Sequence, residues 1–543
     1  MRIQFLGAAK VVTGSNYLIT TNKYKILLDC GMFQGSEQLE KLNYEDFQFN
    51  PSEIDFVILS HAHIDHSGRI PKLVKEGFEG KIFCTQATSD LCEIMLVDSG
   101  HIQESDAEWE NRKRKRAGKP LIEPLYTARD AALSLKYFSP ALYDQKIKIN
   151  EDISIRFKDA GHILGSSIVE LWINENNKAV KIVFSGDIGM KDRPIIKDPE
   201  YIEEADYLIL ESTYGDRIHE NVNKRVEELT DIINETVLRG GTVIIPSFAV
   251  GRTQELIYEL NKYYEYNDEL ETFMKIPIYI DSPMAVSATE IFQKNSYCFD
   301  DETKKLILNG DNPFEFENLH YVKSQEESMR LNNYSFPKVI ISASGMCTAG
   351  RVRHHLKHNL WKKKNSVIFV GYQAEGTLGR ILKDGSKKVK ILGEDIVVDA
   401  EIHSIEGFSG HTDQVGLIDW VKGFKKLPKE IFIVHGEDNS SEALAKLIST
   451  QFNVKTIIPT MGYSYEIKED MIESNGKNLM EAIKLKESIK EELQEVYDQF
   501  ESLVTKTDLM IDEKRLKTDY DELKNKLIEL QQKLLDINMI ISD

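Results

Sequence analysis

Two rhythms alternate along the chain. Residues 1–212 carry short apolar, β-branched runs that each end in polar or glycine residues: "KYKILLDCG", "DFVILSH", "KIFCT", "SIRFKDAGH", "KIVFSGD" and "YLILEST". Runs of this length bounded by turn formers predict strands, with few long helices between them. At their C-terminal ends stand Asp29, His61, His162, Asp187 and Glu211, so ionisable side chains recur at one set of strand ends. From 213 the pattern changes. "NKRVEELTDIINETVL", "GRTQELIYELNKYY" and "GRVRHHLKHNL" space their apolar residues as helices do, while "TVIIPS", "IPIYID", "KVIISAS" and "SVIFVG" read as buried strands. Strand–helix alternation predicts a parallel sheet covered on both faces. "GFSGHTD" and the strand "EIFIVHG" then return to the first style, so the alternating unit reads as an insert within the first domain.

A third pattern closes the chain. Leu516, Tyr520, Leu523, Leu527, Leu530, Leu534, Ile537 and Ile541 step by fours and threes, the apolar stripe of a coiled coil. Ile483, Ile489, Leu493, Val496 and Phe500 form an earlier stripe, and "TKTD" between them reads as a turn. The expected domains are therefore 1–212 and 396–470 as one split domain, 213–395 as the insert, and 475–543 as a helical hairpin. That hairpin can pack on its own body or serve as a homodimer or partner contact.

Composition narrows the class. A chain of 543 residues with 41% hydrophobic and 29% charged content has the balance of a multidomain globular protein. The opening "MRIQFLGAAK" breaks before any signal-peptide core forms, and no run reaches the roughly 18 apolar residues of a membrane span. Cys30, Cys84, Cys92, Cys298 and Cys347 form no CxxC pair and no disulfide framework. A cytoplasmic protein without membrane contact is expected. The net charge of −20 makes a poor general binder of nucleic acid, so a polyanion would have to be drawn to a local positive site. Bound divalent ions would supply one.

The densest chemistry lies in "SHAHIDHSG". His61 and His63, two apart in extended chain, project to one side and can share an ion. Asp65 and His66 follow where the chain turns and can reach a second ion. Imidazole with carboxylate suits zinc, with manganese or iron as alternatives.

"HAHIDH" resembles the signature of the metallo-β-lactamase superfamily, and Asp29, "DAGHILGS" and "FSGDIG" match its other early motifs. Glu211 in "ESTYGD", His411 in "GFSGHTD" and His435 in "IVHGE" resemble motifs A, B and C of the β-CASP branch. That branch includes bacterial RNA-processing nucleases and the endonuclease subunit of the eukaryotic pre-mRNA 3′-end machinery. The likeness spans residues 1–465 and includes "PSFAVGRTQE", "SASGM" and "GYQAEGTLGR". It implies an α/β fold: an αββα sandwich with an inserted parallel-sheet β-CASP domain. It also implies two Zn2+ per chain, with Mn2+ as an alternative. His61, His63 and His162 would hold one, Asp65, His66 and His435 the other, and Asp187 would bridge them. Asp29 would orient a ligand imidazole. Water between two such ions ionises near neutral pH and attacks phosphorus in line. His411, paired with Glu211, would act as general acid, making His411, Glu211 and Asp65 the catalytic residues.

The implied substrate is single-stranded RNA, because DNA-repair members of the branch typically lack histidine at motif C and His435 is present. The other readings are a DNA nuclease, a small-ester hydrolase and an RNA-binding scaffold that does not cut. An insert is superfluous for a small ester, and a scaffold would not keep the full ligand set. "SFAVGRTQ" and "SASGMCTAGRV" stand where strands give way to helices, which makes Ser247, Arg252, Ser344, Gly345 and Arg351 candidate phosphate contacts. "NRKRKRAGK" is the strongest basic run, readable as an RNA guide or as a solvated face. His354, His355 and His358 read as packing or substrate-contact residues, and His101 is open.

Overall fold

In the computed structural model, residues 1–176, 178–219, 224–266, 276–467 and Lys526 are described. The hairpin expected over 475–543 therefore lies, but for Lys526, outside the described residues. Met1–Lys477 form one compact unit.

Two seven-stranded sheets pack face to face. The first runs Ser464–Glu466, Arg2–Phe5, Tyr17–Thr20, Lys25–Leu28, Phe56–Ile58, Lys81–Thr85, Phe138–Ala141. The second runs Lys455–Ile457, Glu430–Val434, Tyr207–Glu211, Lys178–Phe184, Ser167–Glu175, Ile153–Asp159, Ile147–Lys148. The period of two assigns the faces. Phe56 and Ile58 point between the sheets, as do Tyr207 and Ile209 opposite, whereas Val57 faces outward on one side and Leu208 and Leu210 on the other. Phe5, Phe157 and Phe432 are wholly buried in that middle layer, each contributing roughly 1.5–3 kcal/mol. Helices Gln414–Lys422 and Asp438–Phe452 cover the second sheet through Leu417, Trp420, Leu444 and Ile448. Leu73 of Ile70–Lys75 and Leu91 and Leu96 of Gln86–Arg116 cover the first. The result is the expected helix–sheet–sheet–helix sandwich.

The insert is a six-stranded sheet in the order Leu319–Tyr321, Ile278–Ile280, Lys338–Ser342, Thr242–Pro246, Ser366–Phe369, Glu401–Ser404, with every pairing parallel, so its sheet takes in a strand beyond the expected boundary at 395. Its helices include Arg225–Leu238, Arg252–Tyr266 and Val352–Asn359.

One element went unread. Residues 1–212 contain a helix of 31 residues, Gln86–Arg116. Only its first half is packed, through residues such as Leu91, Cys92 and Leu96; beyond Gly100 only Ala107 is buried. With one half solvated, no apolar stripe of helical period runs along it.

In the first sheet Lys25–Leu28, Phe56–Ile58, Lys81–Thr85 and Phe138–Ala141 run parallel. In the second, Lys178–Phe184, Tyr207–Glu211 and Glu430–Val434 do so. Their C-terminal ends bring the polar residues to one rim.

Candidate metal centre

Backbone geometry aims the rim residues. Asp29 follows its strand with φ 55° and His435 follows its own with φ 50°. Side-chain-bearing residues rarely adopt this left-handed region, and here it turns both chains back towards the sandwich rim. Between them the "HAHIDH" run folds into a one-turn helix, Ile64–Ser67. The N–H of Cys30 donates to His66 O (2.8 Å), that of Met32 to Ile64 O (2.9 Å) and that of Ser15 to Asp65 O (2.8 Å). Gly31 is what allows this approach, since a Cβ there would stand 1.6 Å from the Asp65 carbonyl oxygen.

Two groups of donors result. In the first, His61 Nε2 and His162 Nε2 lie 3.1 and 3.2 Å from His63 Nδ1, and 3.4 and 3.5 Å from Asp187 Oδ2. In the second, His66 Nε2 lies 3.1 Å from His435 Nε2, and the two nitrogens lie 3.9 and 3.6 Å from Asp65 Oδ2. Asp187 reaches both, with Oδ2 3.3 Å from His66 Nε2 and Oδ1 3.7 Å from His435 Nε2. Donors about 2.0–2.1 Å from one ion at tetrahedral angles stand about 3.3 Å apart. The spacing of the first group matches that value, and the second is slightly wider. Asp187 Oδ1 is buried and accepts no hydrogen bond among the described residues. Three imidazole nitrogens and a carboxylate oxygen converging on one point form the donor set that a shared cation takes.

Electrostatics agree. Burial drives His61 and His162 well below the ordinary histidine range and His63 down to about 4, leaving neutral rings of the kind metals take. His66 behaves oppositely: burial opposes its charge, but Asp187, Asp65 and Asp29 outweigh it and raise it well above. That spot calls for positive charge. Asp29 fixes the His66 ring by accepting its Nδ1–H at 2.7 Å, and is itself held by the Ser60 N–H (2.8 Å) and the Ser15 hydroxyl (2.9 Å). A ligand imidazole is commonly oriented in this way.

Beside the donors lies a relay. Glu211 Oε2 accepts from His411 Nδ1 at 3.0 Å and from the Thr213 hydroxyl at 2.7 Å, while Glu211 Oε1 accepts from the Ile188 N–H. Thr213 Oγ1 in turn accepts from His435 Nδ1 at 3.1 Å. One carboxylate therefore orients His411 directly and His435 through a hydroxyl. Burial opposes charge on His411, but Glu211 and then Asp187 outweigh it and raise it to about 9. Its Nε2 points to the donors, 3.9 Å from Asp187 Oδ2. The loop carrying His411 is gripped by buried Arg193, whose guanidinium donates to Gly407 O and Ser409 O, both at 2.7 Å, and pairs with Glu255 of the insert. Neither Thr213 nor Arg193 had a sequence signal beyond lying near a motif.

The donors open onto a cavity of about 460 Å³ whose far wall belongs to the insert. Of the candidate phosphate contacts, Arg252, Ser344 and Arg351 line it. Arg252 is held by Glu255, and Arg351 by Asp281 at 2.6 Å. The Ser344 hydroxyl caps its own turn, accepting the N–H of Thr348 and Ala349. Ser247 and Gly345 do not reach the cavity. Ser247 is buried against Thr253 and Phe248 O, and Gly345 leaves room for the Phe248 ring, 2.9 Å from where its Cβ would be. Phe248 lines the cavity, its centroid 6.2 Å from that of His63. His355 is buried and bonded to Asp281 at 2.6 Å, whereas His354 and His358 are exposed. His101 is exposed beside Glu104. The basic run ends the long helix, and Arg112, Lys113 and Arg114 pair there with Glu108 and Glu110 at 3.4–3.7 Å. Three further clustered atoms, from Asp187, Glu211 and His411, adjoin the donor groups.

Comparison with known proteins follows the same division. The description "Metallo-beta-lactamase superfamily" matches residues 9–84, "Beta-Casp domain" matches 253–382, and "Zn-dependent metallo-hydrolase RNA specificity domain" matches 395–459. The chain is 38% identical over 449 residues to ribonuclease TTHA0252 of Thermus thermophilus, covering 83% of this chain and 96% of that one. Transcription termination factor FttA of Methanocaldococcus jannaschii is 34% identical over 469 residues, 84% of this chain and 70% of the relative. The FttA of Methanosarcina mazei is 32% identical over 467 residues with the same coverage.

Proposed function

The chain belongs to the β-CASP branch of the metallo-β-lactamase superfamily, and on that premise we propose that it is a metal-dependent ribonuclease hydrolysing phosphodiester bonds of single-stranded RNA. The observation that carries this is the pair of histidine–carboxylate groups sharing Asp187 at the floor of a cleft roofed by the insert. His61, His63 and His162 would hold one Zn2+, Asp65, His66 and His435 a second, with Asp187 between them and Mn2+ acceptable to the same donors. When bound, the ions supply ionised water at neutral pH and offset charge growing on the phosphoryl oxygens.

The chain's own residues do the rest. Asp29 keeps the His66 Nδ1 proton, so that Nε2 presents its lone pair. Glu211 keeps His411 in one orientation and protonated, with Nε2–H facing the donors. His411 then gives that proton to the departing oxygen, a step worth about 10²–10⁴ in rate when the acid is well placed. Arg252 and Arg351 meet the phosphates from the insert side, and Ser247 and Gly345 shape the turns behind them. A site whose far wall belongs to a second domain suits a polymer better than a small ester, for which that wall would be superfluous. The relatives named as a ribonuclease and as transcription termination factors fit RNA.

The test is digestion of labelled single-stranded RNA and DNA of identical sequence by the metal-loaded protein. RNA is expected to be cut and DNA to be spared or cut far more slowly. Equal or faster cleavage of DNA would reassign the substrate.

A further inference from the structure

The insert has two ends. The C-terminal ends of its strands, with Phe248, Ser344 and Asp281, face the cleft. At the opposite edge Lys338, Thr242 and Ser366 begin their strands, and the surface there differs from the rest of this acidic chain. Tyr334 and Phe336, each 42% exposed, stack with centroids 5.1 Å apart and planes 23° apart. Lys338 Nζ organises their loop, donating to Tyr334 O at 2.8 Å and lying 5.4 Å from the Phe336 centroid. Beside it runs "WKKK": Trp361 is 55% exposed, and Lys362 Nζ stands 5.3 Å from its ring. The charges acting on Lys338 are those of Lys362 and Lys364; burial and that repulsion lower it to about 8. Burial likewise lowers Lys362, with Lys364 adding to it. This separates the patch from the basic end of the long helix, where glutamates of the same helix answer the cations.

Exposed flat rings interleaved with crowded lysines suit an occupant that offers both planar faces and regularly spaced negative charge. We infer that the edge formed by Tyr334, Phe336, Trp361, Lys362 and Lys364 is a second RNA-binding site, which holds single-stranded RNA flanking the segment in the cleft. Bases stack on the rings whatever their identity, and lysines neutralise the phosphates, the two components of sequence-tolerant single-strand binding. Strands of five residues separate this edge from the cleft edge by about 17 Å. Only an RNA longer than the cleft can reach it. The inference rests on the ribonuclease reading and adds to it a preference for long, unpaired substrates.

The test uses the full, metal-loaded chain on two oligouridylates, one that only fills the cleft and one several times longer. Lys362→Ala/Lys364→Ala is expected to raise KM for the long RNA about tenfold. It should also reduce the slope of log KM against log salt by about 1.4, from two lost phosphate contacts on a single strand. Trp361→Ala is expected to raise that KM about fivefold or more. In both variants kcat and the short-RNA KM stay unchanged, which also shows that the fold is intact. If KM shifts equally on both lengths or on neither, the site is overturned. So is it if the variants leave long-RNA kinetics unchanged but alter sedimentation of the RNA-free chain, which would assign the patch to protein contacts. Failure of the wild-type chain to cut either RNA would overturn the ribonuclease reading itself.

Discussion

At the scale of residues, the site depends on which protons are held in place. Glu211 accepts one from His411 and one from Thr213, and Thr213 accepts one from His435, so one buried carboxylate orients both His411, the proposed acid, and His435, a proposed metal ligand. For acid catalysis His411 must be protonated, so activity is present below its pKa and lost as pH rises through it. Glu211 is the first of the carboxylates that raise that pKa against burial. Glu211→Gln should therefore move the alkaline limb of the kcat profile to lower pH, by roughly one to three units. A profile with an unmoved limb would remove Glu211 from this role. Asp29, His162, Asp187 and His435 were legible in the sequence because each ends an apolar run and each fits a motif. Thr213 was not. A threonine has no chemical signature until the fold sets it 2.7 Å from a carboxylate and 3.1 Å from an imidazole. Arg193 escaped for a similar reason, since its partners, Gly407 O and Ser409 O, are backbone atoms more than 200 residues away.

At the scale of elements, parallel strands deliver residues to one rim and the loops between them are locked by backbone bonds. The short helix Ile64–Ser67 rides on residues 30–32 through Cys30 N–H and Met32 N–H, with Gly31 in closest contact. Gly31→Ala would place a carbon 1.6 Å from the Asp65 carbonyl and must displace the turn that carries Asp65 and His66. The expected outcome is loss of at least one metal ion per chain, read by elemental analysis of protein with unchanged circular dichroism. Full metal content would show that the turn is not rigidly seated. Strands were readable where apolar residues run together, as in "KYKILL" and "DFVIL". The strand Glu401–Ser404 was not, because "EIHS" offers one aliphatic residue at a sheet edge. The long helix Gln86–Arg116 was hidden because its second half is largely solvated, with only Ala107 buried there, and so carries no apolar period.

At the scale of the whole molecule, a chain of net charge −20 has to attract a polyanion. Compensation lies in two places: donor groups able to take cations at the cleft floor, and an aromatic–lysine edge beyond it, whereas Arg252 and Arg351 on the cleft wall are paired with Glu255 and Asp281. The strand-rich first domain and the parallel-sheet insert were legible as two rhythms in the sequence, while the layered sandwich was implied only by the motifs' resemblance to the superfamily. That the two domains meet across a single cavity was not legible, because contact between distant segments leaves no mark on local pattern. Among the described residues no helix is long and apolar enough to cross a membrane.

The central claim is that two ions, held by groups that share Asp187, cut RNA together. Adding zinc stepwise to the metal-free chain, while following cleavage of single-stranded RNA at each equivalent, tests it most directly. Activity should stay low through the first equivalent per chain and reach its plateau at the second, with chelator abolishing it. Full activity at one equivalent, or cleavage that survives chelation, would contradict the account.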